Sequence, residues 1–234
     1  MAIDDWLLDQ CIKGALPSTL RFYTWRFPTI SLGYHQRQFP AHWHDLSWHA
    51  QPISLVRRPT GGRAVLHQGD LTYAMITAAP KGCSRRETYW QLCQFLIQGW
   101  QRLGISLSFG EAKRGYINNP NCFGTATAAD LIMSDGYKLI GSAQVYREGY
   151  VLQHGSMRLF SDSALFEQVF GERLRPPAQL MSLLDTCSMD AISSTLTESA
   201  SLSYRANFTV MPLSEQERQA ATRWQFAQKP STAL

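Results

Sequence analysis

The sequence predicts a mixed α+β fold, with largely antiparallel sheets flanked by helices. Aromatic and β-branched segments typical of strands are interspersed with helical segments, without regular βαβ alternation. Apolar residues recur at helical spacing over Met1–Ile12, and Arg86–Leu103 presents a continuous apolar face that ends before Gly104. Short strands and turns between Leu131 and Gln153 have the pattern of an antiparallel meander.

The other elements follow in chain order. Further strands are expected within Leu20–Leu32 and at Ile53–Arg58, Ala64–Leu66, Leu71–Thr77, Leu131–Met133, Tyr137–Ile140, Ala143–Arg147 and Tyr150–Gln153. Further helices are expected at Ala164–Phe170, Ala178–Leu184, Asp190–Ala200 and Ser214–Ala227, the last opening on a capping-box spacing. Gly115–Ala129 is expected to form a long polar loop. We expect one domain over 1–234, completed by its helical part from about residue 161.

Composition excludes several classes of protein. The chain has 234 residues, of which 44% are hydrophobic and 17% charged, too apolar a balance for a disordered protein. The sequence lacks an apolar run of about 20 residues, so we expect no membrane span. Asp4 and Asp5 stand where a signal peptide would carry positive charge, which favours a cytoplasmic protein.

Charge and cysteine content exclude further classes of partner and site. The net charge of +4 is dispersed, without the basic tract of a nucleic-acid binder, so we expect no nucleic-acid partner. It suits weak steering of an acidic protein partner. The five cysteines are odd in number and contain no CxxC pair, which favours reduced thiols and no zinc site. His42 and His44 lack a third ligand at a useful spacing, so we interpret them as structural.

A glycine-containing loop is the first candidate for chemistry. Arg57–His67 reads Arg-Arg-Pro-Thr-Gly-Gly-Arg-Ala-Val-Leu-His. Two glycines after a strand let backbone N–H groups approach a carbonyl or an anion, and Arg58, Arg63 and His67 add donors. The spacing matches neither a Walker loop nor a dinucleotide fingerprint. Without further information, a functional loop and a plain hairpin turn remain equal alternatives.

Three further residues are candidates for catalysis or binding. Lys138 lies among apolar neighbours on a predicted strand, and the pattern by itself favours a lysine on the solvated face of an edge strand. Cys122 lies in the polar loop, where an incidental thiol is the simpler interpretation unless a cation lowers its pKa. His154 is expected at the end of a strand, as a base, a hydrogen-bond donor or a turn histidine.

Together these segments resemble the lipoate/biotin protein ligase and octanoyltransferase superfamily. The resemblance runs from Met1–Asp4 through Ser31–Gln36 and Arg57–His67 to Asp130–Ser156. It implies the catalytic-domain fold of that superfamily. Because the chain begins at the family's first helix, we also expect the native protein to start upstream of Met1.

The resemblance is greatest to the cysteine-dependent octanoyltransferases, since Cys122-Phe123 precedes Asp130-Leu131 and Lys138. It implies that Cys122 takes octanoyl from octanoyl-acyl carrier protein as a thioester, and that Lys138 polarises the carbonyl. The acceptor would be a lysine of a lipoyl domain or of a small lipoyl-carrier protein. The substrate-binding residues implied are Arg58, Thr60, Gly61, Gly62, Arg63, His67, Gly141, Ser142, Ala143, Gln144, His154 and Gly155.

Two other functions remain open. An ATP-dependent lipoate–protein ligase would act through an acyl-adenylate stabilised by Lys138, would need ATP and Mg²⁺, and would leave Cys122 incidental. A non-catalytic relative would bind acyl chains or a carrier protein without turnover. The transferase needs no cofactor and no metal, and replacement of Cys122 by serine separates it from the ligase.

Overall fold

A computed structural model of the chain describes residues 1–110 and 130–227. The helices are α1 (Ala2–Ile12), α2 (Arg85–Arg102), α3 (Ser163–Phe170), α4 (Ala178–Leu184), α5 (Met189–Tyr204) and α6 (Glu215–Ala227). The strands are β1 (Thr19–Tyr23), β2 (Thr29–Leu32), β3 (Ser47–Trp48), β4 (Gln51–Pro52), β5 (Ser54–Arg57), β6 (Val65–His67), β7 (Asp70–Ala78), β8 (Leu107–Phe109), β9 (Asp130–Met133), β10 (Lys138–Arg147) and β11 (Tyr150–Arg158).

The main sheet has six strands in the order β1-β7-β11-β10-β9-β8, and every neighbouring pair is antiparallel. This arrangement confirms the predicted α+β class. Two strand predictions were wrong in extent. β10 is one strand where two were expected, and β11 continues past Gln153 to Arg158, because Gly141 and Ser142 pair with Ser156 and Gly155.

A two-residue turn joins β10 to β11. Arg147 pairs with Tyr150, and the intervening Glu148 and Gly149 have φ angles of 48° and 79°. Two consecutive positive φ angles are typical of a type I′ turn, whose twist matches that of the flanking strands. The turn fixes the register in which Ala143 opposes His154.

The two faces of the main sheet pack against different helices. On the first face, α2 and α5 cover a core that includes Tyr73, Phe95 and Trp100, all fully buried. On the second face, α1 and α6 pack over Ala74, Ile76 and Leu152. α2 begins with the capping box of Ser84 and Glu87, whose side chains each accept from the other's backbone N–H.

A smaller sheet has the order β5-β2-β6, with β2 parallel to β5 and antiparallel to β6. All four residues of β2 are buried, and its apolar side chains join a core with Trp43 and with Leu165 and Phe166 of α3. The two-stranded β3–β4 sheet was not predicted, because the turn uses His49 and Ala50 at positive φ instead of glycine.

Within residues 1–110 and 130–227, the helices are too short or too polar to cross a membrane. The single-domain organisation over 1–234 stays a prediction.

Candidate active site

The loop between β5 and β6 is shaped by the buried side chain of Arg58. Its Nη1 donates to the Ser31 carbonyl oxygen at 2.9 Å, and its Nη2 donates to the carbonyl oxygens of Gly61 at 2.9 Å and Arg63 at 2.6 Å. The structure places the Arg58 guanidinium among backbone carbonyl groups, and the predicted contact of Arg58 with substrate stays a prediction. These bonds hold Pro59–Arg63 (hereafter the glycine loop) against the end of β2, with Arg63 half-buried.

Two glycines allow that close approach. A Cβ built on Gly33 would overlap the carbonyl oxygen of Gly62, and Gly62 itself has a φ of 96°. The Tyr34 N–H also donates to the Thr60 carbonyl oxygen at 2.8 Å. Only glycine fits both positions without movement of the loop.

Lys138 is buried and ion-paired, so the pattern-based expectation of a solvated edge lysine was wrong. Its Nζ lies 2.8 Å from Asp130 Oδ1, and the two side chains are 4% and 3% exposed. The cause is an irregularity in the pairing of β10 with β9: Lys138 opposes Ile132, but Ile140 opposes Leu131. This β-bulge turns Lys138 onto the face that carries Asp130.

Strand alternation divides the predicted residues 141–144 between the two faces. Gly141 opposes Asp130 on β9 and Ser156 on β11, which places Gly141 and Ala143 on the face of the Lys138–Asp130 pair. Ser142 and Gln144 lie on the other face, over α2. The predicted role of all four in substrate binding stays a prediction.

Ser142 and Gln144 take part in a hydrogen-bond network behind the site. The Tyr73 hydroxyl lies 2.8 Å from Ser142 Oγ and accepts from Gln153 Nε2 at 2.9 Å, while Gln144 Nε2 donates to Gln153 Oε1 at 2.8 Å. Burial raises the pKa of Tyr73 well above its usual value. Gly155 leaves room for this network, since a Cβ there would lie 2.5 Å from Ser142 Oγ.

His154 is buried within β11, not at a strand end as expected. Its Nε2 is 2.6 Å from Thr60 Oγ1 of the glycine loop, and its Nδ1 is 3.6 Å from Asp4 Oδ2. Burial lowers the pKa of His154, although the negative charge of Asp4 opposes that shift. The sequence predicts Thr60 and His154 as site residues, but not Asp4.

Asp4 is a buried carboxylate on α1. Arg21 Nη1 donates to its Oδ1 at 2.6 Å, and the Tyr23 hydroxyl donates to its Oδ2 at 2.7 Å. Burial raises the pKa of Asp4, but the terminal amine, His154 and Arg21 outweigh burial and bring the pKa below its ordinary value. The sequence signal for Asp4 was an acidic residue amid the apolar positions of α1.

His67 belongs to a second buried group. Its Nδ1 lies 2.8 Å from Asp70 Oδ2, its Nε2 lies 2.8 Å from Ser31 Oγ, and its ring stacks on Trp25 at 4.1 Å. Ser156 Oγ also donates to Asp70 Oδ2, at 2.6 Å. The group joins β6 to the main sheet, and any contact of His67 with substrate stays a prediction.

Two of the described cysteines, Cys11 and Cys93, are poor candidates for a nucleophile. Burial raises the pKa of Cys93 to about 12, and burial also raises the pKa of Cys11. Cys122, the predicted nucleophile, lies outside the described residues. Among the residues that are described, no group of three or more His, Cys, Asp or Glu side chains could hold a metal ion.

Solved structures share this fold. A lipoate-protein ligase A bound with ATP aligns over 100% of this chain and 92% of its own, with a TM-score of 0.73 and 21% identity. The bipartite lipoate protein ligase of Thermoplasma acidophilum, from a study that includes its E2 lipoyl domain, aligns over 98% of this chain and 89% of its own, with a TM-score of 0.68 and 20% identity.

Relatives found by sequence have a higher identity to this chain than these solved structures do. The octanoyltransferase LipM of Geobacillus kaustophilus is 36% identical over 183 residues, which cover 73% of this chain and 64% of the relative. The match therefore spans less than two thirds of that relative's length. The model of the "Lipoyl protein ligase A/B catalytic domain" family matches residues 1–201. That match covers all three sheets and every described residue of the site, and on this evidence the chain belongs to the lipoyl protein ligase A/B catalytic domain family.

Proposed function

We propose that this chain is an octanoyltransferase of protein lipoylation. It moves an octanoyl group from octanoyl-acyl carrier protein, through a thioester on Cys122, onto a specific lysine of a lipoyl domain or small lipoyl-carrier protein. The proposal is supported by family membership and by relatives named octanoyltransferase, 36% identical over 183 and 185 residues.

The observation that carries the proposal is the buried Lys138–Asp130 ion pair, which lies on the same face of the main sheet as His154, the partner of Thr60 in the glycine loop. An ammonium group held in a largely dry site is well suited to stabilise the oxygen of a thioester carbonyl as it becomes an oxyanion. A cation also lowers the pKa of a nearby thiol and so increases the thiolate fraction.

The reaction then has two acyl-transfer steps. The Cys122 thiolate attacks the thioester carbonyl, and the carrier thiolate leaves and takes up a proton. In the second step, the neutral acceptor amine attacks the Cys122 thioester, an amide bond forms, and the Cys122 thiolate leaves as the nitrogen loses a proton. Covalent catalysis replaces one transfer between two proteins with two separate encounters.

The proposed enzyme needs neither a cofactor nor a metal, whereas ATP and Mg²⁺ belong to the ligase alternative. Carrier proteins and lipoyl domains are generally acidic by family resemblance, so the net charge of +4 gives modest steering towards both. We expect the reaction to take place in the cytoplasm.

Intact mass after incubation with octanoyl-carrier protein, without ATP, tests the proposal. We expect an adduct of about 126 Da that hydroxylamine removes, as a thioester intermediate requires. Cys122→Ser must lose the adduct, and Cys187→Ser, a matched change at another cysteine, must keep it. If no adduct forms, and lipoyl-domain modification instead requires ATP with free octanoate or lipoate, the chain is a ligase.

A further inference from the structure

The two halves of the site lie on different sheets. Lys138 and Asp130 lie on β10 and β9 of the main sheet, whereas the glycine loop joins β5 and β6 of the small sheet. A reaction that uses both needs a fixed distance between them, because a displacement of about 1 Å in a catalytic group lowers rates by about 100-fold.

Backbone contacts orient the glycine loop. The carbonyl oxygen of Thr60 accepts from the Tyr34 N–H, and the carbonyl oxygens of Gly61 and Arg63 accept from Arg58. In a trans peptide, each carbonyl group points opposite to the N–H of the next residue. The N–H groups of Gly61 and Gly62 therefore point away from Tyr34 and Arg58.

One side-chain contact ties this loop to the main sheet. Thr60 Oγ1 and His154 Nε2 are 2.6 Å apart, and both side chains are buried. A contact this short and dry is a strong constraint on the loop.

Asp4 orients the histidine from the other side. At 3.6 Å its Oδ2 is beyond hydrogen-bond distance of His154 Nδ1, so it acts as a nearby charge. Arg21 and Tyr23 hold Asp4 in place. A carboxylate beside Nδ1 favours the tautomer with the proton on Nδ1, which leaves Nε2 to accept from the Thr60 hydroxyl.

We propose that His154 is a positioning residue: through Thr60 it fixes the glycine loop against the main sheet and so sets the Gly61 and Gly62 N–H groups relative to Lys138. The acyl carbonyl would be received between these N–H groups and the Lys138 ammonium. This inference rests on the proposed function, because it assigns His154 a role in that reaction without contact with the substrate.

Hydrogen exchange of the substrate-free protein tests whether the Thr60–His154 contact holds the glycine loop in place. Thr60→Val removes the hydroxyl at nearly constant shape, and Thr60→Ser keeps it. We expect the Gly61 and Gly62 amides to exchange about tenfold faster in Thr60→Val and in His154→Ala, and at the wild-type rate in Thr60→Ser. Wild-type exchange in Thr60→Val would overturn the proposal.

Kinetics tests the consequence for the reaction. We expect Thr60→Val to lower kcat for octanoyl transfer by about 10- to 100-fold, with KM nearly unchanged, and Thr60→Ser to recover most of the loss. His154→Ala in the Thr60→Val background should cause no further loss. Losses that multiply, or a rise in KM alone, would overturn the proposal. Failure of the wild-type protein to transfer octanoyl would instead contradict the proposed function. The exchange experiment would still show whether the Thr60–His154 contact holds the glycine loop.

Discussion

Lys138 Nζ lies 2.8 Å from Asp130 Oδ1, and neither side chain is more than 4% exposed. Removal of one charge from a buried pair leaves the other in an unfavourable environment. We expect Lys138→Met to lower the free energy of unfolding by about 3 kcal/mol and to abolish transfer. The double variant Lys138→Met/Asp130→Asn should recover most of the stability but none of the transfer, as measured by urea unfolding and single-turnover assays.

An exposed ion pair provides the control. Arg173 Nε lies 2.7 Å from Glu167 Oε2, and the two side chains are 72% and 43% exposed. Because the pair is open to solvent, Arg173→Met should change the free energy of unfolding by less than about 1 kcal/mol. A double variant as unstable as Lys138→Met would show that the loss does not come from the unpaired carboxylate.

Gly33→Ala should destabilise the protein strongly. The added methyl group would overlap the Gly62 carbonyl oxygen, which is backbone and cannot rotate away. We expect a loss of about 3 kcal/mol, at the upper end for overpacking, measured by thermal and urea unfolding. Gly61→Ala is the matched control and should leave the stability nearly unchanged, because a Cβ there meets no atom within 4 Å. Equal melting temperatures for the two variants would contradict the close approach of Gly33 to Gly62.

The stability of the protein should fall as the pH drops below about 6.5. Burial lowers the pKa of His154 in the folded state from its ordinary 6.5, so the unfolded chain binds a proton that the folded chain does not. The associated stability is complete above 6.5 and is lost as the pH falls towards the lower folded value. Asp4 adds a second loss only near and below its ordinary pKa of 3.8, because its folded pKa is also lowered.

Unfolding measured from pH 7.5 to 5 isolates the histidine. We expect His154→Gln to reduce the slope of stability against pH by up to about 1.4 kcal/mol per pH unit, the value for one proton. His44→Gln, at an exposed site, should keep the wild-type slope. The same slope in both variants would assign the acid sensitivity to other groups.

Cys93 should resist alkylation in the native protein. Its pKa of about 12 keeps it a thiol at neutral pH, and its side chain is fully buried. Iodoacetamide at about pH 7.5, followed by peptide mapping, should label Cys83 and Cys187, which are half-buried, and leave Cys11 and Cys93 unlabelled until the protein is denatured. Labelling of native Cys93 would place that thiol closer to solvent than the structure does.

Much of the fold was predictable because local and tertiary preferences agree. The apolar face of α2 is continuous and ends before Gly104, and the turns of the meander carry Gly136 and Gly149 at positive φ. Ser214 and Glu217 form the expected capping box at the start of α6. In each case one short segment contains the whole signal.

The site was less predictable because its geometry depends on contacts distant in sequence. Nothing in Tyr137–Ile140 indicates the bulge against β9 that buries Lys138, since a bulge is a property of two strands. Asp4 meets His154 only through the packing of α1 on β11. Glycine is typical of turns, but Gly155 lies within β11. There the side chains of Tyr73 and Ser142 occupy the space that a Cβ would need.

The two-residue turn at Glu148 and Gly149 limits the changes of length that this hairpin can accept. Unless the turn or a β-bulge absorbs the change, a deletion or insertion of one residue between Ala143 and His154 would reverse the side chains of β11 that follow it. His154 and Ser156 would then enter the apolar core beneath α2, and Gln153 would face Thr60. Single-residue changes of length in this hairpin are therefore tolerable only where the turn or a β-bulge absorbs them, as the bulge at Lys138 does in the pairing of β10 with β9.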